Sequence, residues 1–197
     1  MKQLATTSMI VALIVAVAQL ASAEEDNSTI NAMSMGYQQS RVPMRNGDLE
    51  RRITTFVFDF FANRSGTDIG SLKALEGFYA EDVEHHGRRT RREIVMIDLR
   101  NSFAQWPERT YNIPEEKLRV ECFEPTEAVK FPTCLAVGVV DWTASNAIEN
   151  AIENVGGGAL YELQFIVRDS GPKIFSQKAT LVRWKGGPSP RVPLPLP

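Results

Sequence analysis

Both histidines of the chain are adjacent, at His85 and His86, and imidazole is the side chain best suited to proton transfer near neutral pH. The residues around them read as a short strand over 82–86, in which successive side chains point to opposite faces. Val83 belongs inside, so His85 is expected to line a pocket, while His86 is expected to face solvent or a partner. His85 could then be a general base or acid, or a hydrogen-bonded lining residue.

Carboxylates elsewhere could assist His85 if the fold brings them close. Asp82 and Asp141 are the candidates to orient His85 as a catalytic base. Glu162 is a candidate ligand contact. It alternates with an apolar face that begins at Tyr161, and alternation alone does not decide which face lines a cavity.

Three aromatic side chains could form amphipathic walls of the same pocket, because each combines an apolar ring with a polar group. They are Tyr79, Trp106 and Tyr111. We expect them to converge with His85 at the open end of the fold. Such a pocket would take a small apolar or amphipathic ligand.

Two stretches resemble a known family. Phe78-Tyr79-Ala80 followed by Val83, and Trp106-Pro107-Glu108-Arg109 followed by Tyr111, are similar to the nuclear transport factor 2-like, or SnoaL-like, domains, and more narrowly to a secreted bacterial branch. The resemblance covers roughly 48–185. It implies a strongly curved sheet wrapped around helices, with a conical cavity.

The resemblance also implies a range of functions. Relatives act as isomerases, dehydratases and polyketide cyclases by pairing a carboxylate with histidine or tyrosine in the cavity, and many have no activity. No such pair maps residue by residue onto this chain. The secreted branch often has two tyrosines where this chain has His85 and His86.

Hydrophobic periodicity predicts three helices that must position these groups. The first begins at Asp48 and carries an apolar stripe through Phe60, the second spans about 71–79, and the third begins with capping-box spacing at Thr90 and runs to Trp106. The apolar run 159–168 is a clear strand.

The remaining strands follow the third helix, with one short strand before it. They are predicted at 82–86, 109–113, 118–123, 134–143 and 173–184, with 144–155 as a hairpin excursion. Strands joined by turns favour antiparallel pairing. The predicted fold is therefore α+β, with three helices packed on a mostly antiparallel sheet. The resemblance implies that this sheet is strongly curved, a cone-shaped, cystatin-like roll.

The start of the chain predicts export. Lys2, an apolar run over 9–20 and the small residues ending at Ala23 have the pattern of a secretory signal peptide over 1–23. We expect a secreted or periplasmic protein with no stable membrane insertion after cleavage. Residues 24–47 read as a flexible arm, 48–185 as the domain and 186–197 as a Pro-rich disordered tail.

The two cysteines, Cys122 and Cys134, lie in separate strand-like runs joined by a turn region. In an oxidising compartment we expect them to form a disulfide across neighbouring strands. The alternative is two buried free thiols. Their spacing excludes a redox site of the Cys-x-x-Cys type.

The charge pattern excludes other functions. The formal net charge of −2 and the single basic cluster, 88–92, do not form a nucleic-acid-binding face; the cluster reads as a solvated loop and helix start. No metal-ligand spacing and no phosphate-binding glycine loop occurs, so no metal and no cofactor is predicted.

Two functions follow. The first is an exported non-catalytic domain that binds a small ligand in its cavity, or a partner or second copy through its sheet face. The second is a cofactor-independent cavity enzyme of the isomerase, dehydratase or cyclase type, with His85 as general base.

Overall fold

Three helices lie on one side of the molecule. The computed structural model describes residues 41–127, 129–148 and 151–185, with helices α1 (Gly47–Ser65), α2 (Ile69–Phe78) and α3 (Arg92–Gln105). The Asn46 side chain caps α1 by accepting a hydrogen bond from the Leu49 amide at 3.1 Å. The apolar stripe predicted for α1 is buried, as helical periodicity requires.

A seven-stranded mixed sheet curves around these helices. Its strands are β1 (Tyr79–His85), β2 (Arg88–Arg91), β3 (Glu108–Asn112), β4 (Leu118–Phe123), β5 (Thr133–Ile148), β6 (Ala151–Arg168) and β7 (Gly171–Lys185). The order is β2-β1-β7-β6-β5-β3, and β4 also pairs with β5. Only β1 and β7 pair in parallel among these strands. The predicted α+β fold is confirmed.

The two faces of the sheet have different roles. On the inner face, Tyr161 and Phe165 of β6 pack against α1, with ring centroids 4.9 Å from Phe61 and 5.6 Å from Phe56. The alternate residues of β6 therefore point to the outer face. A separate buried apolar cluster lies on the outer face: Phe123, Leu135, Val137, Val139 and Leu160.

The strand β2 departs from the sequence prediction. Residues 88–91, expected as a solvated loop and helix start, form an edge strand that pairs antiparallel with β1. Arg89 lies opposite Glu84, and Arg91 lies opposite Asp82, so opposite charges face each other across the pair. The helix consequently begins at Arg92, and no side chain caps it, in contrast to the predicted capping box.

The predicted hairpin excursion over 144–155 is part of two long strands. The β5–β6 ladder continues from Thr133 opposite Ile166 to Ile148 opposite Ala151. Gly157 is required in this hairpin, because a Cβ atom there would overlap the backbone carbonyl oxygen of Arg183 on β7.

The predicted disulfide is present. Cys122 and Cys134 face each other on β4 and β5, with Cα atoms 4.0 Å apart, and their sulfur atoms are bonded. Their register follows from the hydrophobic pattern of both strands. The bond therefore joins neighbouring strands, as the sequence predicted.

Part of the predicted flexible arm lies against the sheet. Pro43 forms a bridge with Phe123, and the Met44 amide donates to the Cys122 carbonyl at 2.8 Å. Residues 1–40, which include the predicted signal peptide, and the predicted tail over 186–197 lie outside the described residues. None of the described helices is both long and apolar enough to cross a membrane.

Candidate functional site

A buried arginine organises the inner side of the site. Arg64, near the end of α1, is only 3% exposed, and its guanidinium lies 5.3 Å from the ring centroid of Tyr111. Nearby, the Tyr79 hydroxyl donates to Gln177 Oε1 at 2.7 Å. Burial raises the pKa of Tyr79 to about 12, although the Arg64 charge opposes the rise. Tyr79 is therefore a neutral hydrogen-bond donor at physiological pH.

His85 lies beside this arginine and is partly buried. Burial, and to a smaller extent charge repulsion from His86 and Arg64, together lower the pKa of His85 to about 4. His85 is therefore neutral at pH 7. An imidazole with so low a pKa is a weak general base, because catalytic efficiency is greatest when the pKa lies near the working pH.

His86 does not project away from His85 as strand alternation predicted. The two rings lie 4.3 Å apart between centroids. The strand ends at His85, and His86 has a positive φ of 50°, followed by Gly87 with a φ of 78°. Two positive φ values define the tight turn of the β1–β2 hairpin, so the period of two no longer applies.

The carboxylates that were expected beside His85 lie elsewhere. Asp82 is exposed, and its Cα lies opposite that of Arg91 in the β1–β2 register. Asp141 accepts a hydrogen bond from Arg183, and β5 directs it to the outer face. Glu162 also points to the outer face, where it accepts a hydrogen bond from Gln164 Nε2 at 2.9 Å. The predicted grouping of His85 with Asp82 or Asp141 therefore does not form.

The predicted aromatic walls are core residues. Trp106 is fully buried, and Tyr111 and Tyr79 are 7% and 1% exposed. Arg64 is the common neighbour of three of the predicted site residues. Its guanidinium lies over the Tyr111 ring, and its positive charge acts to lower the pKa of Tyr79 and of His85. The region in which these side chains were expected to line a pocket is thus filled by buried rings.

Arg109, which the sequence analysis did not single out, holds the ends of two helices together in this region. Its Nε donates to the Arg64 carbonyl and its Nη1 to the Trp106 carbonyl, both at 2.8 Å, and Nη2 donates to the Gly66 carbonyl. The guanidinium lies 3.2 Å from the centroid of the Phe103 ring. Arg109 therefore joins the carboxyl ends of α1 and α3, whose last carbonyls lack helical partners. The sequence feature that could have identified Arg109 was its position in the Trp-Pro-Glu-Arg motif.

A pocket opens where β1 departs from β7. The parallel register passes from Tyr79 opposite Ile174 to Glu84 opposite Ser176, so β1 advances five residues while β7 advances two. The extra residues of β1 form a bulge. We call the space beside them the bulge pocket; its volume is about 480 Å³.

The bulge pocket has apolar and charged walls. Its apolar lining comes from Tyr79, Ala80, Val129, Ile166 and Phe175. Its charged lining comes from Arg41, Glu81, Asp82, Arg92, Arg168 and Lys173. Tyr79 and Asp82 were both predicted as site residues, although the pocket they border differs from the expected one beside His85.

A second concavity, the outer groove, lies toward the other end of the sheet. It has a volume of about 820 Å³, and its lining includes the polar residues Glu108, Asp141, Ser145 and Arg183. Ser145 donates to Glu108 Oε2 at 2.7 Å, and Arg183 pairs with Asp141, so its charged groups engage one another. Among the residues described, no group of three or more acidic, histidine or cysteine side chains could hold a metal ion.

Solved structures share this architecture. A Novosphingobium aromaticivorans protein provisionally named a scytalone dehydratase is 11% identical, with 83% of this chain and 93% of that chain covered at a TM-score of 0.55. A Streptomyces avermitilis protein provisionally named a dehydratase of the NTF2-like family is 13% identical, with 67% and 95% covered at a TM-score of 0.53.

A Caulobacter vibrioides protein with a cystatin-like fold is 11% identical, with 69% of this chain and 91% of that chain covered at a TM-score of 0.51. No protein-family model and no curated protein sequence matches the chain. The chain therefore has the nuclear transport factor 2-like, cystatin-like α+β fold. Identities this low define the fold, and function has to be argued from the site.

Proposed function

We propose that the chain is an exported, non-catalytic domain that binds a small amphipathic ligand in the bulge pocket. The single observation that carries the proposal is the β1 bulge, which opens about 480 Å³ between apolar side chains and a charged rim. A cavity of this size, mainly apolar with a few polar groups, is the usual form of a small-molecule site.

The absence of a catalytic pair beside His85 favours binding over catalysis. His85 is neutral with a pKa of about 4, and neither Asp82 nor Asp141 is placed to orient it. General base catalysis needs both a reachable proton and a suitable pKa. The Cys122–Cys134 bond supports export, since structural disulfides persist in oxidising compartments.

Ligand screening by thermal shift, followed by native mass spectrometry of the purified mature protein, tests this proposal. The matched variants are Ala80→Trp, which places a large ring in the bulge pocket, and Ala104→Trp, which adds the same ring at an exposed site on α3. We expect amphipathic ligands to stabilise the wild type and Ala104→Trp, and to have no effect on Ala80→Trp. Equal ligand responses in all three proteins would exclude the bulge pocket.

The alternative is a cofactor-independent enzyme of the isomerase, dehydratase or cyclase type, with His85 as base. The provisional dehydratase names of two structural neighbours favour it. An enzyme of this kind would convert a substrate in a reaction that His85→Gln slows by at least about a hundredfold, the usual contribution of general base catalysis. The same rate in His85→Gln would remove this alternative.

A homodimer through the outer sheet face stays a prediction. The apolar cluster of that face is already buried, with Val137 and Leu160 at 1% and 3% exposure, so pairing there would bury mainly polar surface. Light scattering coupled to size-exclusion chromatography measures the oligomeric state directly. A monomer at micromolar concentration would exclude a stable dimer.

A further inference from the structure

We infer that the ligand of the bulge pocket carries an anionic head group, a carboxylate on an apolar body. This inference rests on the proposed function, since it names the ligand class of the same pocket. Four cationic side chains line the pocket against two carboxylates, Glu81 and Asp82. The charged rim therefore has a formal excess of two positive charges.

Two of the cations have no acidic partner. Lys173 donates from Nζ to the backbone carbonyl of Gly77, and Arg168 lies 5.3 Å from the ring centroid of Phe131. Within the described part of the chain, neither forms an ion pair with a carboxylate. An anion bound between them would form charge-assisted hydrogen bonds, which are about twice as strong as neutral ones.

Arg92, a third cation of the lining, already has two carboxylates nearby. Its Nε lies 3.9 Å from Glu76 and its Nη2 lies 3.9 Å from Glu93. The anionic group is therefore assigned to Arg168 and Lys173.

The acidic groups of the rim do not neutralise this end of the pocket. Asp82 lies opposite Arg91 on β2, a cation that is not part of the pocket lining. Glu81 is exposed, and among the described residues it forms no ion pair with Arg168 or Lys173. The positive side chains Arg168 and Lys173, on the two strands of the β6–β7 hairpin, thus remain available to a ligand.

The apolar lining of the pocket favours a ligand whose remaining part is apolar. Ile166 and Phe175 come from the same hairpin as the two cations, and Val129 closes the lining from the segment before β5. A carboxylate held by Arg168 and Lys173 would direct its hydrocarbon part toward these side chains. Burial of that part would remove apolar surface from water and so raise the affinity.

The experiment compares two probes with the same hydrocarbon chain, dodecanoate and dodecanol, by isothermal titration calorimetry. The proteins are the wild type, the double variant Arg168→Gln/Lys173→Gln and the control double variant Arg52→Gln/Lys178→Gln, which removes the same charge at exposed positions outside the pocket. We expect dodecanoate to bind the wild type and the control at least tenfold more tightly than dodecanol. The pocket variant should lose at least tenfold in affinity for dodecanoate and keep its affinity for dodecanol.

The outcomes separate this inference from the proposed function. Equal binding of both probes, with no change in the pocket variant but loss in Ala80→Trp, would overturn the anionic ligand and keep the bulge pocket as the site. Equal losses of dodecanoate binding in both double variants would assign the effect to net charge and also overturn the inference. If neither probe binds and no ligand distinguishes Ala80→Trp, both fail.

Discussion

At the scale of single residues, two buried arginines, Arg64 and Arg109, lie in the region where the sequence analysis expected His85 to act. Arg64 is surrounded by the rings of Phe60 and Tyr111 and lowers the pKa of His85 and His86 by repulsion. Arg109 binds backbone carbonyls at the ends of two helices. Burial first, and the positive charges of His86 and Arg64 second, disfavour protonation of His85, so it is a weak base.

Arg109 should be important for stability. Replacement by Met keeps the apolar stem and leaves the carbonyls of Arg64, Gly66 and Trp106 without their donor, so we expect Arg109→Met to lower the free energy of unfolding by about 3 kcal/mol or more. Urea denaturation measures this. Arg51, exposed and paired with Asp48, is the control, and Arg51→Met should stay within about 0.5 kcal/mol of wild type. A similar value for both variants would contradict the capping role.

His85 should titrate at unusually low pH. Its folded pKa of about 4 lies below the ordinary 6.5, so the unfolded chain binds more protons between these values. Stability from this group is present above pH 6.5 and is lost as the pH falls toward 4. An NMR titration of the imidazole signals should give a pKa well below 6, and His85→Gln should flatten the fall in melting temperature over that range. A pKa near 6.5 would show that the ring is solvated.

At the scale of elements, the hydrophobic patterns of single segments predicted the helices. They did not predict the features that depend on how two strands pair. The spacing of Ile53 and Phe60 predicted α1, and the two cysteine-bearing runs predicted neighbouring strands. Residues 88–91 have no apolar alternation, so β2 carried no signal; its pairing with β1 comes from the turn at His86. The bulge in β1 is a difference in register with β7, and one strand's sequence does not contain it.

Glycine in the β5–β6 hairpin should be required only where strands approach closely. Gly157→Ala should cost about 2 kcal/mol or more, because its Cβ would overlap the Arg183 carbonyl and displace β7. Gly77 in α2 has open space around its Cβ position, so Gly77→Ala should be neutral or stabilise by up to about 1 kcal/mol. Thermal or urea unfolding compares the two. Equal effects would contradict the close strand contact.

The disulfide should stabilise the β4–β5 pair. It closes a loop with a sequence separation of 12 residues, for which the loss of unfolded-state entropy predicts about 3 kcal/mol. We expect Cys122→Ala/Cys134→Ala, and the wild type in reductant, to unfold at lower urea concentration. The reduced wild type isolates the bond from the change in side-chain volume. Identical midpoints with and without reductant would show that the bond contributes nothing.

At the scale of the whole molecule, the predicted and the observed pockets lie in different parts of the fold. Buried aromatic rings fill the region beside His85, where the sequence analysis expected the pocket at the open end of the fold. The bulge pocket instead lies where Arg41, α3 and the β6–β7 hairpin meet the irregular part of β1. Its lining comes from segments distant in sequence, so no local motif could have assembled it. Of the residues that line the bulge pocket, only Tyr79 and Asp82 were predicted from the sequence as site residues.

An NMR titration of the isotope-labelled mature protein with dodecanoate locates the ligand most directly. If the bulge pocket is the site, the largest backbone amide shifts will fall at 80–82 and 166–175, and Ala80→Trp will abolish them. Shifts centred on Asp141 and Arg183 would place the ligand in the outer groove, and shifts centred on His85 and Arg64 would place it in the cone. Either result, with 80–82 unchanged, would contradict the proposed function.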